Sequence, residues 1–202
     1  MTLMETPVEI ILPLLGERRY LQGSTLFDAL LPYVPQPCKL SFRIPRLIES
    51  DRIKVLPVQE PRATGKEFSA FLSWEDRTGH GVLGVNGLSP SKIPRRIPYD
   101  ESQVTDSARF CARGVRFDGP SPFSFSATIV SLNKAMLVRE LPKQERGRWL
   151  FVRLDLADVP KDTKEISLDL EAVLSGGRMV KTGVGVMGSL IGDLYFSWWV
   201  GE

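Results

Sequence analysis

The sequence predicts an α+β protein of two similar halves, each with one helix and several antiparallel strands. The first observation is a repeat. Ala70-Phe71-Leu72-Ser73, Gly81-Val82 and Leu88 return as Ala172-Val173-Leu174-Ser175, Gly183-Val184 and Leu190, each 102 positions later without a gap. The second observation is that each half contains one segment of helical spacing, and the third is strand alternation in most of what remains. A unit of about 100 residues is the size of one domain, so a head-to-tail duplication explains the pattern.

The N-terminal half, residues 1–88, opens with a predicted strand at 8–12 and a polar turn. Ser24 is a candidate N-cap, and the apolar residues that follow it at helical spacing until Pro35 are Leu26, Phe27, Leu30, Leu31 and Val34. The later segments 40–44, 53–58, 68–74 and 82–85 are predicted strands, and the last two of these form a hairpin. Pro45 and Pro57 place the first two at a sheet edge or a strand end.

Residues 89–106 lack periodicity, are rich in Pro, Ser, Arg and Lys, and are predicted to link the halves. The C-terminal half, residues 107–202, then repeats the order of elements. A strand is predicted at 110–117, a loop at 118–122, and a helix with Ser126 as N-cap and a face of Ile129, Val130, Leu132, Met136, Leu137 and Leu141. Strands at 149–154, 166–174 and 179–187 follow, with Gly176-Gly177 as a turn between the last two.

The helices of the two halves also correspond, because Ser24-Thr25-Leu26-Phe27-Asp28 lies opposite Ala127-Thr128-Ile129-Val130-Ser131 at an offset of 103. Near the C-terminus, the apolar run 190–200 is shorter than the roughly 20 residues of a membrane span. Trp198 and Trp199 in that run either pack on a core or form a surface for a partner, and core packing is the preferred prediction because an indole buries a large apolar area.

Composition excludes several function classes. With 43% apolar and 25% charged residues, the chain is globular, and 26 basic against 24 acidic residues leave a net charge of +2. The whole chain therefore has no field strong enough to gather nucleic acid or anionic lipid. Two cysteines without metal or redox spacing indicate a reducing compartment. No secretory signal is evident near the N-terminus, so a cytoplasmic protein is predicted.

The order of strand, loop, one mostly apolar helix and then longer antiparallel strands, found twice, resembles the hotdog fold. In addition, the segment Gly119-Pro120-Ser121-Pro122-Phe123-Ser124-Phe125 is similar to the glycine- and proline-rich loop before the central helix of hotdog dehydratases. The resemblance implies a double hotdog, in which each half is a curved antiparallel sheet wrapping one central helix. It also implies thioesterase or dehydratase chemistry of fatty acid metabolism on an acyl-CoA or acyl-carrier substrate, whose chain lies in a tunnel between the halves.

The resemblance also suggests site residues, because hotdog enzymes use polar groups on or near the central helix. Asp28 on the first helix, and Ser131 and Asn133 on the second, are the catalytic candidates. A carboxylate half-buried between helix and sheet has a raised pKa and can act as a general base, whereas one on the outer side of the helix only faces water.

Binding of the substrate is assigned to the starts of the two predicted helices and to a basic pair. Backbone N–H groups near Gly23-Ser24 and Phe125-Ser126 would polarise the thioester carbonyl. Arg95 and Arg96 would meet the phosphates of coenzyme A or a carrier arm, although a solvated loop face explains the same pair. No cofactor is implied, and a homodimer is compatible with the family.

Two patterns argue against other chemistries. The only histidine, His80, lies in a polar hairpin turn, which disfavours a dehydratase and a multi-histidine metal site. The glycines of Gly183-Val184-Gly185-Val186-Met187-Gly188 match a dinucleotide loop by spacing but fall within predicted strands, where glycine usually allows close packing.

Two alternatives stay open at this point. A catalytically silent member of the same fold would bind a lipid-like ligand or serve as an assembly subunit, which fits the shortage of acid and base residues. A pair of ferredoxin-like modules that bind RNA through a glycine-rich loop is the other, but near-neutral charge and one helix per half disfavour it.

Overall fold

The computed structural model describes residues 6–36, 38–58, 67–77, 79–141, 147–160 and 163–200. Its contacts divide the chain into two compact units, an N-terminal unit of Met1–Asp100 and a C-terminal unit of Glu101–Glu202. Each unit combines an antiparallel sheet with a helix, so the α+β class predicted from the sequence is confirmed.

The N-terminal unit has one main helix and seven strands among its described residues. In chain order they are β1 (Val8–Ile11), β2 (Leu14–Leu15), α1 (Gly23–Leu30), β3 (Lys39–Arg43), β4 (Arg52–Val58), β5 (Ala70–Asp76), β6 (Gly79–Gly87) and β7 (Arg96–Ile97). The main sheet has the order β1-β4-β6-β5-β3 with antiparallel neighbours, and β2 pairs with β7 in parallel.

Helix α1 packs through its apolar side on the sheet of its own unit. Leu26, Phe27 and Leu30 are buried, and the Phe27 ring centroid lies 5.5 Å from that of Phe42 on β3. The prediction of Ser24 as N-cap is wrong. The helix begins at Gly23 because Gln22 is extended and its carbonyl already accepts the Leu26 N–H at 3.0 Å. After Leu30, the turn tightens into a 3-10 helix, Leu31–Tyr33.

The C-terminal unit has a longer helix and longer strands. Its elements are α2 (Ser102–Thr105), β8 (Arg109–Cys111), β9 (Gly114–Asp118), α3 (Phe125–Glu140), β10 (Arg148–Leu156), β11 (Glu165–Leu174), β12 (Met179–Val186) and β13 (Ser189–Trp199). The sheet order within the unit is β8-β9-β11-β12-β13-β10, again antiparallel throughout. Helix α3 contacts β9, β10 and β11, and thus covers one face of this sheet, called here the inner face.

One local prediction is wrong, and the structure refines two others. The single strand expected at 110–117 is two strands, because Arg113 takes a left-handed conformation with φ 58° and turns the chain between β8 and β9. The segment 89–106 is structured and contains β7 and α2. Pro57 lies next to the last residue of β4, as expected for a strand end. Strand β4 has neighbours on both sides, but its pairing with β1 ends at Val55. The missing N–H of Pro57 therefore removes no bond to β1.

The order in which the strands follow one another along the chain differs between the sheets of the two units. The middle strand of β1-β4-β6-β5-β3 is β6, the last strand of that sheet in chain order, whereas the middle strand of β9-β11-β12-β13-β10 is β12, which precedes β13. Gly81-Val82 and Gly183-Val184 therefore both lie on middle strands. Ala70–Ser73 lies on β5. The matched segment 172–175 instead ends β11 at Leu174, a different sheet position, and its Ser175 begins a 3-10 turn.

Both units follow an order of strand, helix and then antiparallel strands, which differs from the βαββαβ order of a ferredoxin-like module. Among the described residues, each unit has a single helix longer than one turn. The paired ferredoxin-like interpretation is therefore wrong.

Candidate functional site

The start of α3 is held by a network of hydroxyl groups. Ser124 is the N-cap, and its Oγ accepts the Ala127 N–H at 3.2 Å. Thr128 Oγ1 donates to the Ser124 carbonyl at 2.8 Å and lies 2.6 Å from Ser121 Oγ. The prediction of Ser126 as N-cap is therefore wrong. The helix begins at Phe125, two residues earlier than that cap implies, and Ser126 is a buried residue within its first turn.

Helix α3 is buried over most of its surface, and four of its buried residues are polar. The buried set is Ser126, Ala127, Thr128, Ile129, Ser131, Leu132, Asn133, Met136 and Leu137. Ser131 is fully buried, and its Oγ donates to the Ala127 carbonyl one turn earlier at 2.9 Å. This bond satisfies the hydroxyl within the helix, so Ser131 is a weaker catalytic candidate than the sequence indicated.

Asn133 is the most unusual residue of the helix. Its side chain is 0% exposed, and neither Nδ2 nor Oδ1 has a hydrogen-bond partner among the described residues. A buried polar group that lacks a hydrogen-bond partner costs about 1–3 kcal/mol of stability. Ser126 and Asn133 are separated by two helical turns and so share one side of α3.

The sheet of the same unit presents a second group of this kind. Thr182 on β12 is 0% exposed, and its Oγ1 also lacks a partner within the described part of the chain. Thr182 lies two residues from Val180 and from Val184 and so shares a face of β12 with them. Both valines are fully buried, which places Thr182 on the inner face. The sequence analysis missed Thr182, although a hydroxyl in an otherwise apolar alternation was a signal that could have found it.

The face of this sheet opposite α3 is charged. Lys181 Nζ lies 2.7 Å from Glu171 Oε2 and 3.1 Å from Asp193 Oδ1, and these hydrogen bonds raise the pKa of Lys181. Arg153 Nη2 lies 2.6 Å from Asp155 Oδ2. Polar and apolar groups are thus cleanly separated across the sheet, which makes Asn133 and Thr182 exceptions on the apolar side.

The glycines of the segment 183–188 allow close packing and a tight turn, and the close packing is what the sequence indicated. A Cβ at Gly183 would lie 2.6 Å from Glu171 Oε1, which crosses over the strand at that point. Gly188, with φ +76°, follows Met187, with φ 50°, in the turn between β12 and β13. Gly183 and Gly185 are flanked by antiparallel strands on both sides and Gly188 lies in a hairpin turn, so these glycines do not form a dinucleotide loop.

The remaining predicted site residues belong to the N-terminal unit. Asp28 is half-buried on α1, Gly23 is the first residue of that helix, and Ser24 is 1% exposed. The nine predicted site residues are thus divided between the units. Gly23, Ser24, Asp28, Arg95 and Arg96 lie in the N-terminal unit, and Phe125, Ser126, Ser131 and Asn133 lie in the C-terminal unit.

Arg96 has a structural role in the N-terminal unit. Its Nη1 donates to the carbonyl of Gly16 at 2.7 Å and to that of Arg18 at 3.0 Å, which holds the turn before α1. Arg95 is exposed, and its carbonyl accepts the Leu14 N–H at 2.9 Å. The side chain of Arg96 is thus used within the fold, whereas the described hydrogen bond of Arg95 involves only its backbone.

Histidine and metal chemistry find little support among the described residues. His80 is exposed near the start of β6, next to the hairpin turn as predicted, and it pairs with Glu75 on β5. Within the described residues, no three His, Cys, Asp or Glu side chains are grouped so that they could hold a metal ion. Likewise, the helices of the described ranges are all too short or too polar to cross a membrane.

Neither a family model nor a characterised protein sequence matches the chain. Among solved structures, the tesB protein of Mycobacterium avium subspecies paratuberculosis matches all of this chain and 95% of its own, with 13% identity and a TM-score of 0.49. The acyl-CoA thioesterase II TesB2 of Mycobacterium marinum matches 89% of this chain and 90% of its own, with 12% identity and a TM-score of 0.45.

A dehydratase domain from the CurJ module of curacin polyketide synthase matches 95% of this chain and 86% of its own, with 11% identity and a TM-score of 0.47. The chain is thus similar to solved structures of thioesterases and of a polyketide synthase dehydratase domain. The roles of individual residues depend on the geometry of this chain alone.

Proposed function

We propose that the C-terminal unit binds an acyl thioester between α3 and the inner face of its sheet and directs water to the thioester carbonyl. The observation that carries this proposal is Asn133, a fully buried amide whose donor and acceptor atoms both lack partners in the described chain. Such a group lowers stability unless a ligand or water satisfies it. Retaining it in an apolar core is therefore best explained by a polar ligand.

Thr182 supplies the second polar contact in this proposal. Its hydroxyl and Asn133 Nδ2 are donors that suit a thioester carbonyl oxygen, and Asn133 Oδ1 is an acceptor that suits a water molecule. Donors that are fixed in an apolar environment stabilise the negative charge that develops on the carbonyl oxygen. The acyl chain would lie among apolar residues of α3 such as Ile129, Leu132 and Met136.

The reaction proposed is hydrolysis. The water oxygen bonds to the carbonyl carbon, the carbon–sulfur bond breaks, and the departing thiolate takes a proton, which leaves a carboxylic acid and a thiol. Asn133 does not titrate, so it orients the water but does not store the proton. Asp28 is the carboxylate predicted to serve as a base, and it belongs to the N-terminal unit, where Arg95 is the proposed contact for a phosphate group.

A second candidate is binding without turnover. It is favoured by the chemistry of the buried polar side chains, which in the described residues are hydroxyls and amides apart from Asp51. Asp51 Oδ1 already accepts the Ser91 N–H at 2.8 Å. A site without a buried acid or base can hold a thioester and leave it intact, because no group there takes or supplies the proton that hydrolysis requires.

The experiment measures thiol release from acyl-CoA substrates of increasing chain length, together with direct binding by calorimetry. Asn133→Leu should lower turnover by about 100-fold or more, the usual effect of losing a group that stabilises the transition state. Ser131→Ala is the matched control on the same helix. It should retain turnover because the Ser131 hydroxyl is bonded to the Ala127 carbonyl.

Each outcome separates the candidates. Turnover that depends on Asn133 supports hydrolysis, whereas binding that depends on Asn133 without thiol release supports the second candidate. If neither turnover nor binding responds to Asn133→Leu, the assignment of this site is wrong.

A further inference from the structure

Exposed apolar residues are concentrated at one end of the C-terminal sheet. Val173, Leu174, Trp199 and Val200 are 46%, 39%, 41% and 60% exposed. Val173 and Leu174 end β11, Trp199 ends β13 and Val200 follows it. The strand pairing brings these ends together. Leu174 pairs with Met179, and Met179 in turn pairs with Ser197 on β13.

Two arginines flank these apolar residues. The Arg148 guanidinium carbon lies 5.2 Å from the centre of the Trp199 ring, and the Arg178 carbonyl accepts the Trp198 N–H at 2.7 Å. Both arginines are exposed. Arg148, Val173, Leu174, Arg178, Trp199 and Val200 are called here the terminal patch.

The charge of the terminal patch differs from that of the rest of the sheet. The described segments that form this end, 147–149, 172–180 and 197–200, contain two arginines and no acidic residue. Further along the same strands, acidic residues lie beside the basic ones, as in Lys181 with Glu171 and Asp193. The patch is therefore apolar and locally positive, in a chain whose net charge is only +2.

We propose that the terminal patch docks the protein reversibly on an anionic lipid surface. Tryptophan is favoured at the boundary between acyl chains and headgroups, and arginine binds lipid phosphates through its forked donors. A positive, partly apolar surface is what an anionic bilayer attracts. A stable protein partner is a poorer fit, because such interfaces take about 20–30 residues from each side and this patch has six.

The test is flotation of the full chain with vesicles of phosphatidylcholine alone and with vesicles that also contain phosphatidylglycerol. We expect the protein to float with the anionic vesicles, and we expect added salt to weaken this binding. The double variant Leu174→Ser and Trp199→Ser should reduce the partition coefficient about tenfold or more. Arg178→Gln should reduce it about fivefold, and only on the anionic vesicles.

The matched control is the double variant Met187→Ser and Leu190→Ser, whose side chains are 55% and 70% exposed at the opposite end of the β12–β13 hairpin. It should float like the unmodified chain. The proposal fails if the unmodified chain does not float, or if the control loses as much binding as the patch variant. It also fails if gel filtration shows a dimer that the patch variant disrupts while no vesicles bind. Arg178→Gln alters one exposed side chain, so it decides the matter if the double variant does not fold.

Discussion

At the scale of single residues, Asn133 connects stability with function. Replacing it with leucine, a side chain of similar size, removes two buried polar atoms that have no partner in the described chain. We expect Asn133→Leu to raise the free energy of unfolding by about 1–2 kcal/mol, because the cost of burying an unsatisfied amide disappears. Urea unfolding measures this, as a higher midpoint with an unchanged slope.

The companion variants make this test specific. Thr182→Val removes an unpartnered buried hydroxyl and should also stabilise the protein. Ser131→Ala removes a bonded hydroxyl and should not. If Asn133→Leu lowers the midpoint, the amide has a structural partner, and its role as a ligand contact is excluded.

Asp51 gives a prediction on pH dependence. The carboxyl is 1% exposed, and although burial opposes ionisation, hydrogen bonds from Ser91 hold its pKa below the usual value. A carboxyl with a lower pKa in the folded state stabilises the protein above its unfolded pKa of about 4, and this stability is lost as the pH falls through the folded pKa.

We therefore expect Asp51→Asn to cost about 1–3 kcal/mol at neutral pH, and progressively less as the pH is lowered below about 4. Unfolding curves at a series of pH values measure the difference. Asp118→Asn is the control, because Asp118 forms an exposed ion pair with Arg109, and such pairs contribute about 0–1 kcal/mol. An equal loss at every pH would mean that the carboxylate charge of Asp51 does not stabilise the fold.

At the scale of elements, the start of α3 depends on one hydroxyl. Ser124 Oγ accepts the Ala127 N–H, so Ser124→Ala should destabilise the protein by about 1 kcal/mol. Ser124→Asp keeps an acceptor at this position and adds a favourable charge at the helix N-terminus, so it should restore the stability. Thermal unfolding monitored by circular dichroism compares the variants. Equal midpoints for Ser124→Ala and the unmodified chain would contradict the capping role.

The helices and hairpins were predictable from sequence, but the position where each helix begins was not. Alternation and spacing depend on burial over many residues, which is why the strand of Ile166 and Leu168 and the helix of Leu132 and Met136 were found. A cap depends on the conformation of one residue. Any of three serines could cap this helix by residue type, namely Ser121, Ser124 and Ser126. The backbone conformation makes Ser124 the N-cap, and the sequence does not show it.

At the scale of the whole molecule, sequence predicted strand pairs but not the complete strand order. Short turns determine the pairs β5–β6, β11–β12 and β12–β13. The connection from β4 to β5 is longer and carries no such constraint, so the arrangement β4-β6-β5 could not be read from the repeat. The unpartnered state of Asn133 and Thr182 was equally inaccessible, because it depends on what several elements place around each atom.

The division into units also makes a prediction about folding. The C-terminal unit contains α3 and the sheet strands that α3 contacts, and its core residues Leu132, Met136 and Leu168 are all fully buried. A segment of 101–202 should therefore fold alone with a cooperative thermal transition, because the apolar contacts that stabilise α3 lie within it. Leu132→Ser in this segment should abolish the transition, since it places a hydroxyl in the core. Circular dichroism on the segment decides the matter, and a broad, non-cooperative change in the unmodified segment would mean that this core is not sufficient to fold the unit.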